Sequence, residues 1–225
     1  MKDTKIIALV QQKGGSGKTT LAAHLAVALY QKNYRVATVD IDPQEALVCW
    51  HLLRNQKEDF PCVSTTIWRL QNELLKLKES SDIIIMDTPP HNPMDTQAAV
   101  KFSDLAIIPV QPSLLDIWAT HRTIDIIAKE RIPHRIIWNR LLGDSSLLVP
   151  YMGAFQNVMN TQLPNHINMA SAMAKGKVIL EEDQASIASQ AIDSFSDEII
   201  TLLFPETEDH APHEMAHAPE EALVS

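Results

Sequence analysis

Cysteine is nearly absent from this 225-residue chain. Cys49 and Cys62 stand 13 residues apart and outside any CxxC pair. That spacing gives neither a disulfide framework nor a cysteine metal site, so both are expected as small core residues. Long apolar runs are also missing. No stretch of about 18 consecutive apolar residues occurs, which excludes a membrane-spanning helix from the expectation. The chain starts Met1-Lys2-Asp3-Thr4 and runs straight into a strand-like segment. It shows no charged n-region, apolar h-region or small-residue cleavage site, so a cytoplasmic protein is expected. Positive charge is missing from residues 205–225, which hold Glu206, Glu208, Asp209, Glu214, Glu220 and Glu221 without one Lys or Arg. These acids supply six of the nine excess negative charges, so residues 1–204 stand near −3 and net charge says little about local patches. There is no internal repeat. The tail also lacks apolar periodicity, and its His210, His213 and His217 read as part of a solvated, disordered polar segment.

Against these absences, apolar residues make up 45% of the chain, enough for one globular domain with a sizeable core. Residues 5–11 (KIIALVQ), 35–40 (RVATVD), 82–87 (DIIIMD), 104–110 and 135–139 read as strands, with a further short strand over 60–64. Between them, 18–32, 44–54, 66–78 and 114–131 carry helix-like spacing. A helix is also expected around 146–161, and 186–203 closes the domain with apolar residues at helical period. Proline ends several strands, at Pro43, Pro89-Pro90 and Pro112. Strands alternating with helices predict an α/β fold: three layers, with a mostly parallel twisted sheet covered by helices on both faces. The domain is placed at 1–204 and the acidic tail at 205–225. Ligands of such sheets sit at the carboxyl ends of the strands, here loops 11–18, 40–43, 87–93, 110–113 and 139–145.

The first of those loops carries the clearest chemistry. Lys13-Gly14-Gly15-Ser16-Gly17-Lys18-Thr19-Thr20 follows an apolar strand and precedes a helix. Gly17-Lys18-Thr19 matches the end of the phosphate-loop pattern GxxxxGK[ST], although Gln12 stands where its first glycine belongs. Small residues let backbone N–H groups turn toward phosphate oxygens, and the helix from Lys18 offers its positive end to the same anion. Lys18 is then placed to bridge the β- and γ-phosphates of ATP, the Thr19 hydroxyl to hold Mg²⁺, and Thr20 to reach the α-phosphate.

KGGSGKTT resembles the deviant phosphate loop of the ParA/MinD ATPases. The resemblance extends through VDIDPQ (39–44), IIIMDTPP (83–90), IIPVQPSLLDIWAT (107–120) and IIWNR (136–140), covering roughly residues 5–200 in the family's order. Short ParA proteins are the most similar. Family roles carry over residue by residue. Lys13 is implied to reach across an ATP-bound sandwich dimer to the partner's phosphates, neutralising charge in trans. Asp42 is implied to position the attacking water. Two residues earlier on the same strand end, Asp40 supports Mg²⁺ waters or caps the turn. Asp87 is implied to hold Mg²⁺ through water. Asn139 is implied to read adenine with its amide donor and acceptor. Trp118 and Trp138 are expected to pack in the core.

Such a protein hydrolyses ATP slowly, binds DNA without sequence preference as an ATP dimer, and is stimulated by a ParB-like or adaptor partner. It would be cytoplasmic and nucleoid-associated, with plasmid DNA as the expected cargo and a carboxysome or chemosensory cluster as the alternative. Lys and Arg at 122, 129, 131, 135, 140, 175 and 177 are candidates for the DNA contact. Family members commonly carry an arginine about ten residues before the glycine matching Gly176, and here His166 stands there. A MinD-like membrane ATPase would need a basic amphipathic C-terminus, and the acidic, proline-broken tail argues against it. An electron-transfer reductase would need cluster-binding cysteines that Cys49 and Cys62 do not supply. A non-hydrolysing scaffold would not need Lys13, Lys18, Asp42 and Asp87 together.

Overall fold

The computed structural model describes residues 3–54, 59–142, 151 and 153–205. Seven strands form one sheet: β1 (Lys5–Leu9), β2 (Val36–Asp40), β3 (Cys62–Ser64), β4 (Ile83–Asp87), β5 (Leu105–Val110), β6 (His134–Leu141) and β7 (Val158–Pro164). Their order is β3-β2-β4-β1-β5-β6-β7, and every pairing is parallel. From β1 the chain moves out to β2 and β3 on one side, returns to β4 beside β1, then winds outward on the other side through β5, β6 and β7. Strand order therefore reverses at β1, the crevice where such sheets hold ligands. In register, Asp87 lies opposite both Leu9 and Asp40, which brings three strand ends together.

Eight helices cover the sheet in the described residues: α1 (Lys18–Gln31), α2 (Ala46–Leu53), α3 (Ile67–Lys78), α4 (Pro93–Lys101), α5 (Leu114–Glu130), α6 (Ile167–Met173), α7 (Ile179–Glu182) and α8 (Ile187–Leu203). Strand alternation splits the core in two. Ile7 and Leu9 of β1 face a cluster built from α1, α2, α6, α7 and α8. Ile6 and Ala8 face a second cluster built from α3, α4 and α5. Local sequence sets the helix ends. Asn92 accepts the Met94 and Asp95 N–H groups ahead of Pro93 at the first helical position, and Ser113 accepts the Asp116 N–H. Leu25 and Ala26 of α1 are fully buried, so Leu25→Ala would cost about 2–5 kcal/mol.

Several expectations need correction. Residues 158–161, expected at the end of a helix, lie in β7; residues 146–150 and 152 fall outside the described set. β7 is the edge strand, its register on β6 shifts twice, and only Met159 and Leu163 are buried, so its sequence carries little strand period. Helices α4, α6 and α7 were not anticipated. Cys49 is exposed and Cys62 half-buried, because α2 turns Leu47, Trp50 and His51 inward and leaves position 49 outside. Trp138 is buried as expected, but Trp118 is 61% exposed. The buried stripe of α5 runs through Asp116, Ile117, Thr120 and Thr123, and Trp118 falls off it. The expected tail lies, apart from Pro205, outside the described residues.

Candidate functional site

Residues 10–17 leave the carboxyl end of β1 and turn into α1. Gly17 caps that helix at φ 98°, and a Cβ there would lie 2.5 Å from Asn139 Nδ2. Glycine is therefore demanded both by the left-handed backbone and by the neighbour. Helix α1 has no side-chain cap and no acidic residue in its first turn. Among the described residues nothing closes its positive end, which suits an anionic ligand. Lys18 is 6% exposed and donates from Nζ to the Gln11 carbonyl at 3.1 Å. Burial pushes its pKa down, while Asp87 and Asp42 pull it back up.

Beneath the loop stands an acidic strand end. Thr19 Oγ1 donates to Asp87 Oδ2 at 2.5 Å. Asp87 Oδ1 and Ser16 Oγ are buried and have no hydrogen-bond partner among the described residues. Burial raises the Asp87 carboxyl well above the ordinary range, the Thr19 hydrogen bond and Lys18 oppose this, and Asp40 and Asp42 add to it. A buried carboxylate oxygen with no donor, beside a hydroxyl, is a hard-oxygen set suited to Mg²⁺ and its waters. Asp40 is used differently. Its Oδ2 accepts from Leu47 N at 2.9 Å and Val48 N at 3.3 Å, and its Oδ1 accepts from Asp42 N at 3.0 Å. Those bonds are the work of a turn and helix cap. Asp42 lies beyond the strand end, half-exposed, and accepts from Gln44 N at 2.9 Å.

The outer residues of the loop are braced by neighbours. Lys13 Nζ forms an ion pair with Asp116, a 1%-exposed carboxylate in the first turn of α5 that also takes the Ser113 hydroxyl. Asn139 donates from Nδ2 to the Ser16 carbonyl at 2.8 Å and accepts from Arg140 N at 2.9 Å. Its amide thus clamps the loop, and among the described residues its second N–H has no acceptor; it stands beside a cavity of about 590 Å³ lined by Gly17, Thr20, Asn139, Arg140, Asn165 and Met169. Lys13 borders another cavity, of about 570 Å³, shared with Gln12, His91, Trp118 and Arg122.

Sequence reasoning passed over a polar brace. Gln11 Nε2 donates to Thr120 Oγ1 at 2.9 Å, Thr123 Oγ1 donates to Gln11 Oε1 at 2.9 Å, and Gln12 Nε2 donates to Thr96 Oγ1 at 2.8 Å. The i, i+3 threonines on α5 were the available signal. The candidate basic residues do not share one face. Arg122 and Lys129 belong to α5, over the second cluster, while Lys175 and Lys177 border Val178 of the first. Both of the latter pair with Glu182, at 2.7 and 2.9 Å.

An uncapped helix end, a buried lysine and a threonine on an aspartate at a parallel-sheet switch point define a phosphate-loop nucleotide-binding protein. Residues 7–180 match the model of the CobQ/CobB/MinD/ParA nucleotide binding domain, and the chain belongs to that family. It is 33% identical over 128 residues to maintenance of carboxysome distribution protein A of Halothiobacillus neapolitanus, covering 56% of this chain and 59% of that protein. It is 26% identical to sporulation initiation inhibitor protein Soj of Bacillus subtilis, over 81% of this chain and 92% of that one. Among solved structures, septum site-determining protein MinD with Mg-ADP from Pyrococcus horikoshii superposes with a TM-score of 0.74 at 19% identity, covering 91% of this chain and 99% of that one. Among the described residues no helix is long and apolar enough to cross a membrane.

Proposed function

We propose that this chain binds ATP with Mg²⁺ at the 13–20 loop, hydrolyses it slowly to ADP and phosphate as a dimer, and uses that cycle to position a cargo over DNA. The observation that carries the reading is the joining of the open α1 terminus and Lys18 to the Thr19–Asp87 pair. Phosphate takes the backbone N–H groups and Lys18; Thr19, and Asp87 through water, would hold Mg²⁺, which would offset the negative charge of the phosphates. Thr20 meets the α-phosphate. Asn139 lines the cavity where the base would sit. Asp42 orients a water whose oxygen attacks the γ-phosphorus as the bond to the β-phosphate oxygen breaks, and positioning carries the rate rather than a strong base. Lys13 completes the partner's site in trans, for which it must first leave Asp116.

The cargo has two supported readings. Plasmid DNA with a ParB-like partner follows from the likeness to ParA; a carboxysome with an adaptor follows from the identity to the Halothiobacillus protein. Light scattering of Asp42→Ala with ATP tests the cycle: a trapped dimer is expected, and a monomer at saturating ATP counts against it. Gel shifts at rising salt test the DNA step, which should need ATP and fade steeply with salt.

A further inference from the structure

Helix α2 is a short rod of about 12 Å, anchored at both ends. At its start Asp40, the last residue of β2, holds the Leu47 and Val48 N–H groups. Arg54, just past its other end and 3% exposed, donates from Nη1 to the Gly176 carbonyl at 3.2 Å. Trp50 Nε1 donates to the Lys177 carbonyl, also at 3.2 Å. The guanidinium is held by Asp59 at 2.7 Å and Glu181 at 2.8 Å, with its carbon 5.0 Å from the Trp50 ring centroid. Gly176 sits at φ 69°, and a Cβ there would come within 2.4 Å of the Leu53 carbonyl carbon. Backbone therefore packs on backbone, and the contact has no side chain that could give. A buried cation with three partners resists sliding, because any lost partner leaves charge uncompensated.

A second connection reaches the same turn. The Ile179 N–H donates to His24 Nε2 at 3.2 Å, and His24 Nδ1 donates to the Thr20 carbonyl at 2.7 Å. His24 is fully buried. Three peptides of 176–179 are thus tied to two helices that both begin at the phosphate site: α1 at the loop itself, and α2 at the Asp40–Asp42 strand end. What the turn shows to solvent is Lys175 and Lys177, both held by Glu182.

We propose that the 175–179 turn reports the state of the nucleotide site. Ligand binding shifts the Asp40–Asp42 strand end and the first turn of α1, and α2 with His24 carries that shift to the two lysines as one rigid body. Arg54 and Trp50 are the positioning residues of this linkage. The inference rests on the nucleotide-binding reading of the 13–20 loop but does not require DNA as a partner.

Hydrogen exchange of the full chain, with and without Mg-ATP, tests it. In the wild type, amides of both 14–20 and 175–179 should exchange more slowly with nucleotide present. Arg54 substitutions risk unfolding, so the variant of choice is Trp50→Phe, which keeps an aromatic ring at this position and removes the donor to Lys177. It should bind a fluorescent ATP analogue as the wild type does, yet show a smaller nucleotide-induced change at 175–179 than the wild type. Protection at 14–20 with none at 175–179 in the wild type overturns the linkage. A full response in Trp50→Phe overturns the part given to the Trp50–Lys177 bond in that linkage. No protection in either segment removes the nucleotide reading and this inference with it.

Discussion

Helices α1 and α5 both start at the carboxyl ends of central strands, and they finish those starts in opposite ways. The N-terminus of α5 is closed from within: Ser113 caps it, and Asp116 places a buried carboxylate in its first turn. The N-terminus of α1 is open: Gly17 offers no side chain, and the first turn holds no acid. Helix N-termini attract negative charge. One helix carries its anion in the sequence, and the other leaves the place for a ligand. Lys13 spans the two, leaving the loop before α1 to pair with the carboxylate of α5.

The largest test of this contrast is Lys18→Ala. It removes a side-chain cation buried at the open end and should weaken ATP binding by more than about 100-fold, roughly 3 kcal/mol, by titration calorimetry. Burial disfavours the Lys18 charge, so the unliganded variant should melt no lower than the wild type. Near-normal nucleotide affinity would sink the phosphate-site assignment. A large drop in melting temperature would instead make Lys18 a structural residue.

The contrast was half legible in the sequence. Glycines followed by Lys18-Thr19 after an apolar strand marked the open end, because a phosphate loop is a local motif written in consecutive residues. Central strands β1, β4 and β5 were legible for a related reason: burial on both faces makes them continuous apolar runs. The closed end was not legible. Its partner for Lys13 lies 103 residues away, and the Gln11–Thr123 contact spans 112. Edge strand β7 (VMNTQLP) buries too few positions to show its period. Trp118 was misread because apolar spacing does not say which side of a helix boundary residue faces the core.

Acid separates the two helices next. Along its length α5 braces the loop with Thr120 and Thr123, which do not titrate; α1 is braced by His24, which does. Burial lowers the His24 pKa from 6.5 to about 4. Below pH 6.5 the unfolded chain takes up a proton that the folded chain refuses, so stability is lost as pH falls. The loss should approach about 3 kcal/mol near pH 4. Urea denaturation at pH 7, 6, 5 and 4.5 should show a shallower decline for His24→Gln than for the wild type. Parallel declines would mean that the imidazole is not held neutral.

The Lys13–Asp116 pair should respond unevenly to loss of each partner. Among the described residues, Lys13→Gln leaves the 1%-exposed Asp116 carboxylate with the Ser113 hydroxyl as its remaining donor and Oδ1 unpartnered. That should cost about 2 kcal/mol. Asp116→Asn frees a lysine that is already one-third exposed and can turn to water, so about 1 kcal/mol is expected. Equal losses in denaturant midpoint would mean that solvent already reaches Asp116.

The smallest effect is asked of the cap itself. Ser113 accepts the Asp116 N–H at 3.2 Å and gives its hydroxyl to the Asp116 carboxylate. Ser113→Ala removes both, and cap loss costs about 1 kcal/mol. Position 17 at the start of α1 has no side-chain cap to lose, so the two helix starts differ in where their stability comes from. Ser113→Ala should lower the melting temperature equally with and without ATP, since its helix end is satisfied within the chain. Lys18→Ala should instead abolish the stabilisation that ATP confers and leave the unliganded melting temperature in place. If Ser113→Ala also removed the ATP-induced shift, the α5 terminus would be part of the ligand site, and the division between a closed and an open helix end would fail.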